Sequence, residues 1–173
     1  MEPRSLRDYL RQKAVAMSAA AEARPSPGEW RETVSATCVA DDLTGVRKLR
    51  IRDSQMVSDS GPAFGGWGLG PSSPELLCGV ISTCLAHTYE IGAATLGIPV
   101  QRIEVRVTAE NNDAGFVGIE TEDPPVPFNI EANVSVVAPD ASPAEVEALH
   151  AYAERCPLTR LIRTANPVTV VRL

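Results

Sequence analysis

The sequence predicts an α+β domain, and three observations predict it. Apolar and polar residues alternate, as in half-buried strands, over 33–39, 46–52, 102–108 and 128–137. Two helix starts are written in capping residues, Ser72-Ser-Pro-Glu75 and Ser142-Pro-Ala-Glu145, each followed by a helical run. The resulting order, β-β-α-β-β-β-α-β, sets strands in hairpins between helices, which implies antiparallel or mixed sheet.

Composition agrees with one domain and a short extension. The chain has 173 residues, 44% hydrophobic and 22% charged. A chain of that length buries roughly 70% of its unfolded surface and needs neither disulfides nor a metal to fold. Sixteen Lys and Arg against 22 Asp and Glu give a net charge of −6. That balance argues against nucleic acid and anionic membrane as partners, since both bind clustered positive charge. No window approaches the ~18 apolar residues of a membrane span, and no signal-peptide core follows Met1. A soluble, cytoplasmic protein is expected.

The elements follow in order. Residues 5–23 are rich in helix formers, with Leu6, Leu10, Ala14 and Met17 at helical spacing, and Arg24-Pro-Ser-Pro-Gly28 ends the run. Residues 1–30 are thus expected as a helical extension and 31–173 as the main domain. Asp41-Asp-Leu-Thr-Gly45 supplies turn chemistry between the first two strands, predicting a hairpin whose wet face carries Arg47, Arg50 and Arg52. Residues 58–73 form a long Gly- and Pro-rich loop holding Gly65-Gly-Trp-Gly-Leu-Gly-Pro71. It resembles a phosphate loop at a glance, but has no following Lys-Ser/Thr, no G-x-G-x-x-G and no strand directly before it. A flexible segment is expected there, with Phe64 and Trp67 as walls of a pocket. The next helix, ending at Gly97, is apolar on nearly all sides over its first half and should be buried. Strands at 102–108, 116–120 and 128–137 follow, then a helix broken at Cys156-Pro157, a short helix over 158–163, and a closing strand at 168–173.

Four cysteines stand at 38, 78, 84 and 156. Cys38, on a strand, and Cys78, in the apolar helix, read as small buried hydrophobes. There is no C-x-x-C, and neither His87 nor His150 stands at finger-like spacing, so zinc is poorly supported. Cys84 lies in the same helix, where burial alone would raise its pKa; it needs an arginine or a hydrogen-bond donor from elsewhere to act. His87, three residues on, reads equally as a core or interface residue or as an assistant to it. Cys156 precedes a proline that can open a helix, where backbone N–H groups favour a thiolate. Core packing is an equal reading for each of the two.

Those two cysteines, in their surroundings, carry a resemblance. Gly70-Pro-Ser-Ser-Pro-Glu-Leu-Leu-Cys-Gly-Val-Ile-Ser-Thr-Cys-Leu85 resembles the central-helix motif of the OsmC/Ohr family, the osmotically inducible and organic-hydroperoxide-resistance proteins. Glu145-Val-Glu-Ala-Leu-His-Ala-Tyr-Ala-Glu-Arg-Cys-Pro157 is similar to the family's second helix, and the resemblance spans about residues 33–173. It implies an α+β fold with two central helices packed between sheets in an intertwined homodimer, and it implies thiol peroxidase chemistry. On that pattern Cys84 is the peroxidatic thiolate that reduces an organic hydroperoxide and becomes a sulfenic acid. Cys156 then condenses with it to a disulfide that a dithiol reduces. No metal or organic cofactor is implied.

The family pattern also implies an Arg from the first hairpin and a Glu before the central helix. At the hairpin turn the chain offers Cys38-Val-Ala-Asp-Asp42, with no Arg there. Arg47, Arg50 or Arg52 would have to serve, and strand alternation puts at least two of these on the solvent side. Glu75 occupies the Glu position but stands nine residues before Cys84, about 180° round a helix. It is a candidate catalytic residue on the resemblance and a first-turn dipole partner on its local setting. A divergent member without peroxidase activity, a small-ligand-binding or stress-related dimer, is the alternative.

Overall fold

The computed structural model describes residues 3–41, 44–164 and 168–171. Its helices are α1 (Leu6–Ala23), α2 (Ser73–Leu96), α3 (Pro143–Tyr152) and α4 (Pro157–Arg163); its strands are β1 (Thr37–Ala40), β2 (Arg47–Ile51), β3 (Ser54–Ser58), β4 (Arg102–Glu110) and β5 (Phe128–Val137). The α+β class is therefore observed, with the strands in two sheets, β1-β2-β3 and β4-β5. The chain divides into two compact units, one of residues 3–23, 80–108 and the described part of 131–171, the other of the remaining residues up to 130.

In the first unit, α1, α2 and α3 share a core of Leu10, Tyr89, Ala93, Ile98, Val100 and Leu149, against which Ile103, Val134 and Val136 pack from β4 and β5. Strand β4 shows why: Ile103, Val105, Val107 and Ala109 turn inward while Arg102, Glu104, Arg106, Thr108 and Glu110 stay exposed. Gln101 N–H donates to the Val137 carbonyl at 2.8 Å, joining the start of β4 to the end of β5. Helix α2 closes as its sequence predicts. Gly97 takes a left-handed φ of 70°, and Ile98 N–H returns to the Ala93 carbonyl at 2.9 Å. Gly92 admits α3, since a Cβ there would press on Leu149 and Tyr152. The extension helix α1 buries Leu10 in this core, and Lys13 reaches Glu90 of α2 at 3.3 Å.

In the second unit, β1, β2 and β3 form an antiparallel meander. The expected hairpin is present, but its first strand covers only Thr37–Ala40. Strand β3 was not expected. Ser-Gln-Met-Val-Ser barely alternates, and the two-residue turn before it uses Arg52 at a φ of 53°, a conformation that Arg-Asp does not announce.

Four further expectations are corrected. Residues 116–120 are not a strand: a 3-10 turn, Asp113–Val117, is capped by the Asn112 side chain and ended by Gly118, and Phe116, Val117 and Ile119 stay exposed. Residues 168–171 form no strand, and the last two residues of the expected closing strand lie outside the described residues. Cys38 is exposed, because β1 has no covered face in this chain. By length and composition α2 would qualify as a membrane span, contrary to the window reading, but Ile81, Leu85, Tyr89 and Ala93 are buried in protein.

Candidate redox-active cysteine pair

Helix α2 sets Cys84 among buried neighbours. Ile81, Leu85, Thr88 and Tyr89 fall on its inner face, and Cys84 itself is half-buried. On the other side, the Ser142–Glu145 capping box starts α3, whose Leu149 is fully buried. A short 3-10 turn at Ala153–Arg155 then redirects the chain, and Pro157 opens α4 with Cys156 as its N-cap. The result is that Cys156, 0% exposed, places its Sγ 3.5 Å from Cys84 Sγ, within hydrogen-bond reach for sulfur. Two residues 72 positions apart in sequence become one dithiol.

The two sulfurs differ electrostatically. Burial pushes the Cys84 thiol above its ordinary value. The Leu158 backbone N–H opposes that shift, while Cys156 adds to it. Burial also acts against ionising Cys156. There, however, the Thr159 backbone N–H, the hydroxyls of Thr159 and Thr88, and the Cys84 thiol together hold it below the ordinary value. With both protons present, Cys156 donates to Cys84. Once one proton is lost, the charge settles on Cys156 and Cys84 becomes the donor.

Thr88 and Thr159 were missed in the sequence. Their legible signals are small: Thr88 stands four residues after Cys84, one helical turn, and Thr159 stands three after the Cys156 N-cap. At rest the one hydroxyl proton of each goes to a carbonyl, that of Cys84 (2.8 Å) for Thr88 and that of Cys156 (3.1 Å) for Thr159, which holds each beside a sulfur.

Glu75 is exposed and is engaged by Ser72. Its carboxylate accepts the Ser72 hydroxyl and backbone N–H, both at 2.7 Å, and those bonds lower its pKa. This is a capping interaction at the start of α2. His87 is exposed, so it is not a core residue of this chain. Among the described residues no three His, Cys, Asp or Glu side chains gather as a metal site.

In the second unit the Gly-rich loop is more than a flexible segment. Asp59, 2% exposed, accepts the backbone N–H groups of Ser60 (2.7 Å), Trp67 (2.9 Å) and Leu69 (3.1 Å). The Leu69 bond contributes most to holding its carboxyl below the usual range, with Arg47 adding a smaller pull. Arg47 itself reaches Ser58 at 3.2 Å and Ser60 at 3.3 Å. Gly66 and Gly70 allow the turn, since a Cβ on either would collide with the backbone of Ser60 or Val57. Trp67 is left 71% exposed at its tip, and Phe64 is exposed as well.

Comparison with known proteins places this architecture. The family described as OsmC-like protein matches residues 65–171. An OsmC-like protein from Mycoplasma pneumoniae superposes with a TM-score of 0.63 at 16% identity, covering 76% of this chain and 88% of that one. An organic hydroperoxide resistance protein OsmC from Legionella pneumophila gives 0.55 at 17% identity, covering 76% and 90%. An OsmC-like protein of unknown function from Vibrio cholerae gives 0.59 at 12% identity, covering 75% and 93%. At these identities the likeness is one of fold. No curated protein matches the sequence.

Proposed function

Because the chain belongs to the OsmC-like protein family, we propose that it is a homodimeric, cytoplasmic thiol peroxidase that reduces organic hydroperoxides with Cys84 and Cys156. The observation that carries this reading is the 3.5 Å approach of one buried and one half-buried sulfur. Cys84, made thiolate as its proton passes to Cys156 across the 3.5 Å between the sulfurs, attacks the distal peroxide oxygen. The O–O bond breaks, an alkoxide leaves and takes a proton, and Cys84 becomes a sulfenic acid. Cys156 attacks that sulfur, an S–S bond forms, and water departs. A dithiol returns two electrons. The apolar residues of α2 on either side of Cys84, Ile81 and Leu85, suit an alkyl hydroperoxide better than hydrogen peroxide. Glu75 serves by fixing the first turn of α2, and so the placement of Cys84.

Pre-reduced protein with cumene hydroperoxide and a dithiol tests this directly. Peroxide should be consumed, and Cys84→Ser should reduce consumption to the uncatalysed background. Equal turnover in Cys84→Ser, or none in the native protein, would sink the reading. The sign of the pH dependence follows from the raised Cys84 pKa. Its thiolate fraction, and hence the rate of the first attack, climbs from neutral to alkaline pH.

The same raised pKa favours a second reading, a family member that keeps the fold and binds a small apolar ligand without peroxidase activity. Alkylation of Cys84 across pH separates the two. A midpoint well below neutral counts against the second reading, whereas a midpoint above the free-thiol value of about 8.5 with no peroxide turnover supports it.

A further inference from the structure

We propose that the regeneration step has a fixed direction: the reducing thiol attacks Cys84 Sγ, and Cys156 is the leaving group, with Thr159 and Thr88 as the residues that stabilise it. This deepens the peroxidase reading and rests on it for the origin of the disulfide, though the direction belongs to the disulfide however it forms.

Two independent features set the direction. The first is access. Cys156 is 0% exposed and Cys84 is half-buried, so an incoming thiolate meets Cys84 first. Exchange also needs the attacking sulfur to reach the one it attacks, and Cys156, wholly buried at the N-cap of α4, offers no exposed surface for that approach. The second is leaving-group stability. Thiol–disulfide exchange is faster when the departing sulfur is the better thiolate. The Thr159 backbone N–H and the two threonine hydroxyls surround Cys156, whereas Cys84 receives the Leu158 N–H alone beside its partner sulfur. Each hydroxyl rests on a carbonyl, and its single proton can turn to the sulfur as charge arrives there.

The step balances. A dithiol with one thiolate attacks Cys84 Sγ; an S–S bond to the reductant forms, the Cys84–Cys156 bond breaks, and its electron pair leaves on Cys156 as thiolate. The reductant's second thiol then attacks its own bonded sulfur, expels Cys84, and gives it the proton. The dithiol departs oxidised to a disulfide. The protein is left reduced by two electrons as Cys84 thiol beside Cys156 thiolate, the same charge distribution the hydrogen bonds favour at rest.

The test uses full-length protein oxidised with diamide, which needs no peroxide activity. It is treated with the monothiol 2-mercaptoethanol, quenched in acid within the first turnover, alkylated and mapped by peptide. The adduct should sit on the peptide of Cys84, with Cys156 alkylated; an adduct mainly on Cys156 overturns the proposal. A Thr159→Val chain keeps both cysteines. Its single-turnover reduction by dithiothreitol should slow about threefold or more, with the pH midpoint of Cys156 alkylation moved upward. An unchanged rate and midpoint would remove Thr159 from the account. If the adduct forms on Cys84 but peroxide is not consumed, the direction stands and the peroxidase reading falls.

Discussion

Two regions of this molecule hold a buried acid group by donors, and they use it oppositely. In the glycine-rich loop, Asp59 receives three backbone N–H groups at 2.7–3.1 Å and has no reactive neighbour, so its charge is satisfied and the loop is pinned. At the cysteine pair, one N–H and two rotatable hydroxyls stand beside Cys156 and favour its charge, the hydroxyl protons resting on carbonyls, and a second sulfur lies at 3.5 Å. The first arrangement has one low-energy state. The second has two, a dithiol and a disulfide, that differ by little motion. Burial of an ionisable group is therefore not the functional signal; the freedom of its partners is.

The comparison can be broken from either side. The largest effect on stability is expected beneath the cysteine pair, where Leu149 is fully buried and contacts α2 at Gly92. Leu149→Ala should cost about 3 kcal/mol, read as a Tm loss of roughly 6–12 °C by calorimetry. A loss under about 2 °C would show that α3 is not packed as described.

Next comes the loop. Asp59→Asn removes the carboxylate that accepts its three N–H bonds and should lower Tm by several degrees near neutral pH. Because the folded pKa of Asp59 is depressed, its contribution is complete above the unfolded value of about 4 and is lost as pH falls below it. The native and Asn chains should therefore converge in Tm as pH drops from 5 towards 3. A constant difference across that range would mean that Asp59 acts through something other than its charge.

The smallest effect is expected at Glu75, which caps α2 through Ser72. Glu75→Gln should change peroxide turnover by less than about threefold, against the hundredfold or more expected of a lost acid–base group. The larger loss would return Glu75 to the reacting machinery.

How much of this was legible in the chain depends on where each signal resides. Strand β4 and strand β5 declare themselves because every second residue is apolar, and α3 because Ser142 and Glu145 cap it in adjacent code. Strand β3 is silent because its pairing is imposed by β2 and by a turn whose left-handed residue is an arginine. Residues 116–120 mislead in the other direction: Phe116-Val-Gly-Ile has strand composition, but Asn112 offers the backbone a local turn instead. At the site, Cys84 and Cys156 could be paired by resemblance alone. Thr88 and Thr159 could not, since their role arises only when α2 and the start of α4 meet.

The central claim, that Cys84 and Cys156 form a peroxide-driven dithiol–disulfide couple, is tested most directly by counting thiols. Fully reduced protein, which holds four cysteines, is given one equivalent of cumene hydroperoxide, denatured, alkylated and mapped by peptide. The account predicts that two thiols are lost together, that the Cys84 and Cys156 peptides are found joined, and that Cys38 and Cys78 are alkylated. Four alkylated cysteines after peroxide exposure, or a disulfide that excludes Cys84, would contradict it.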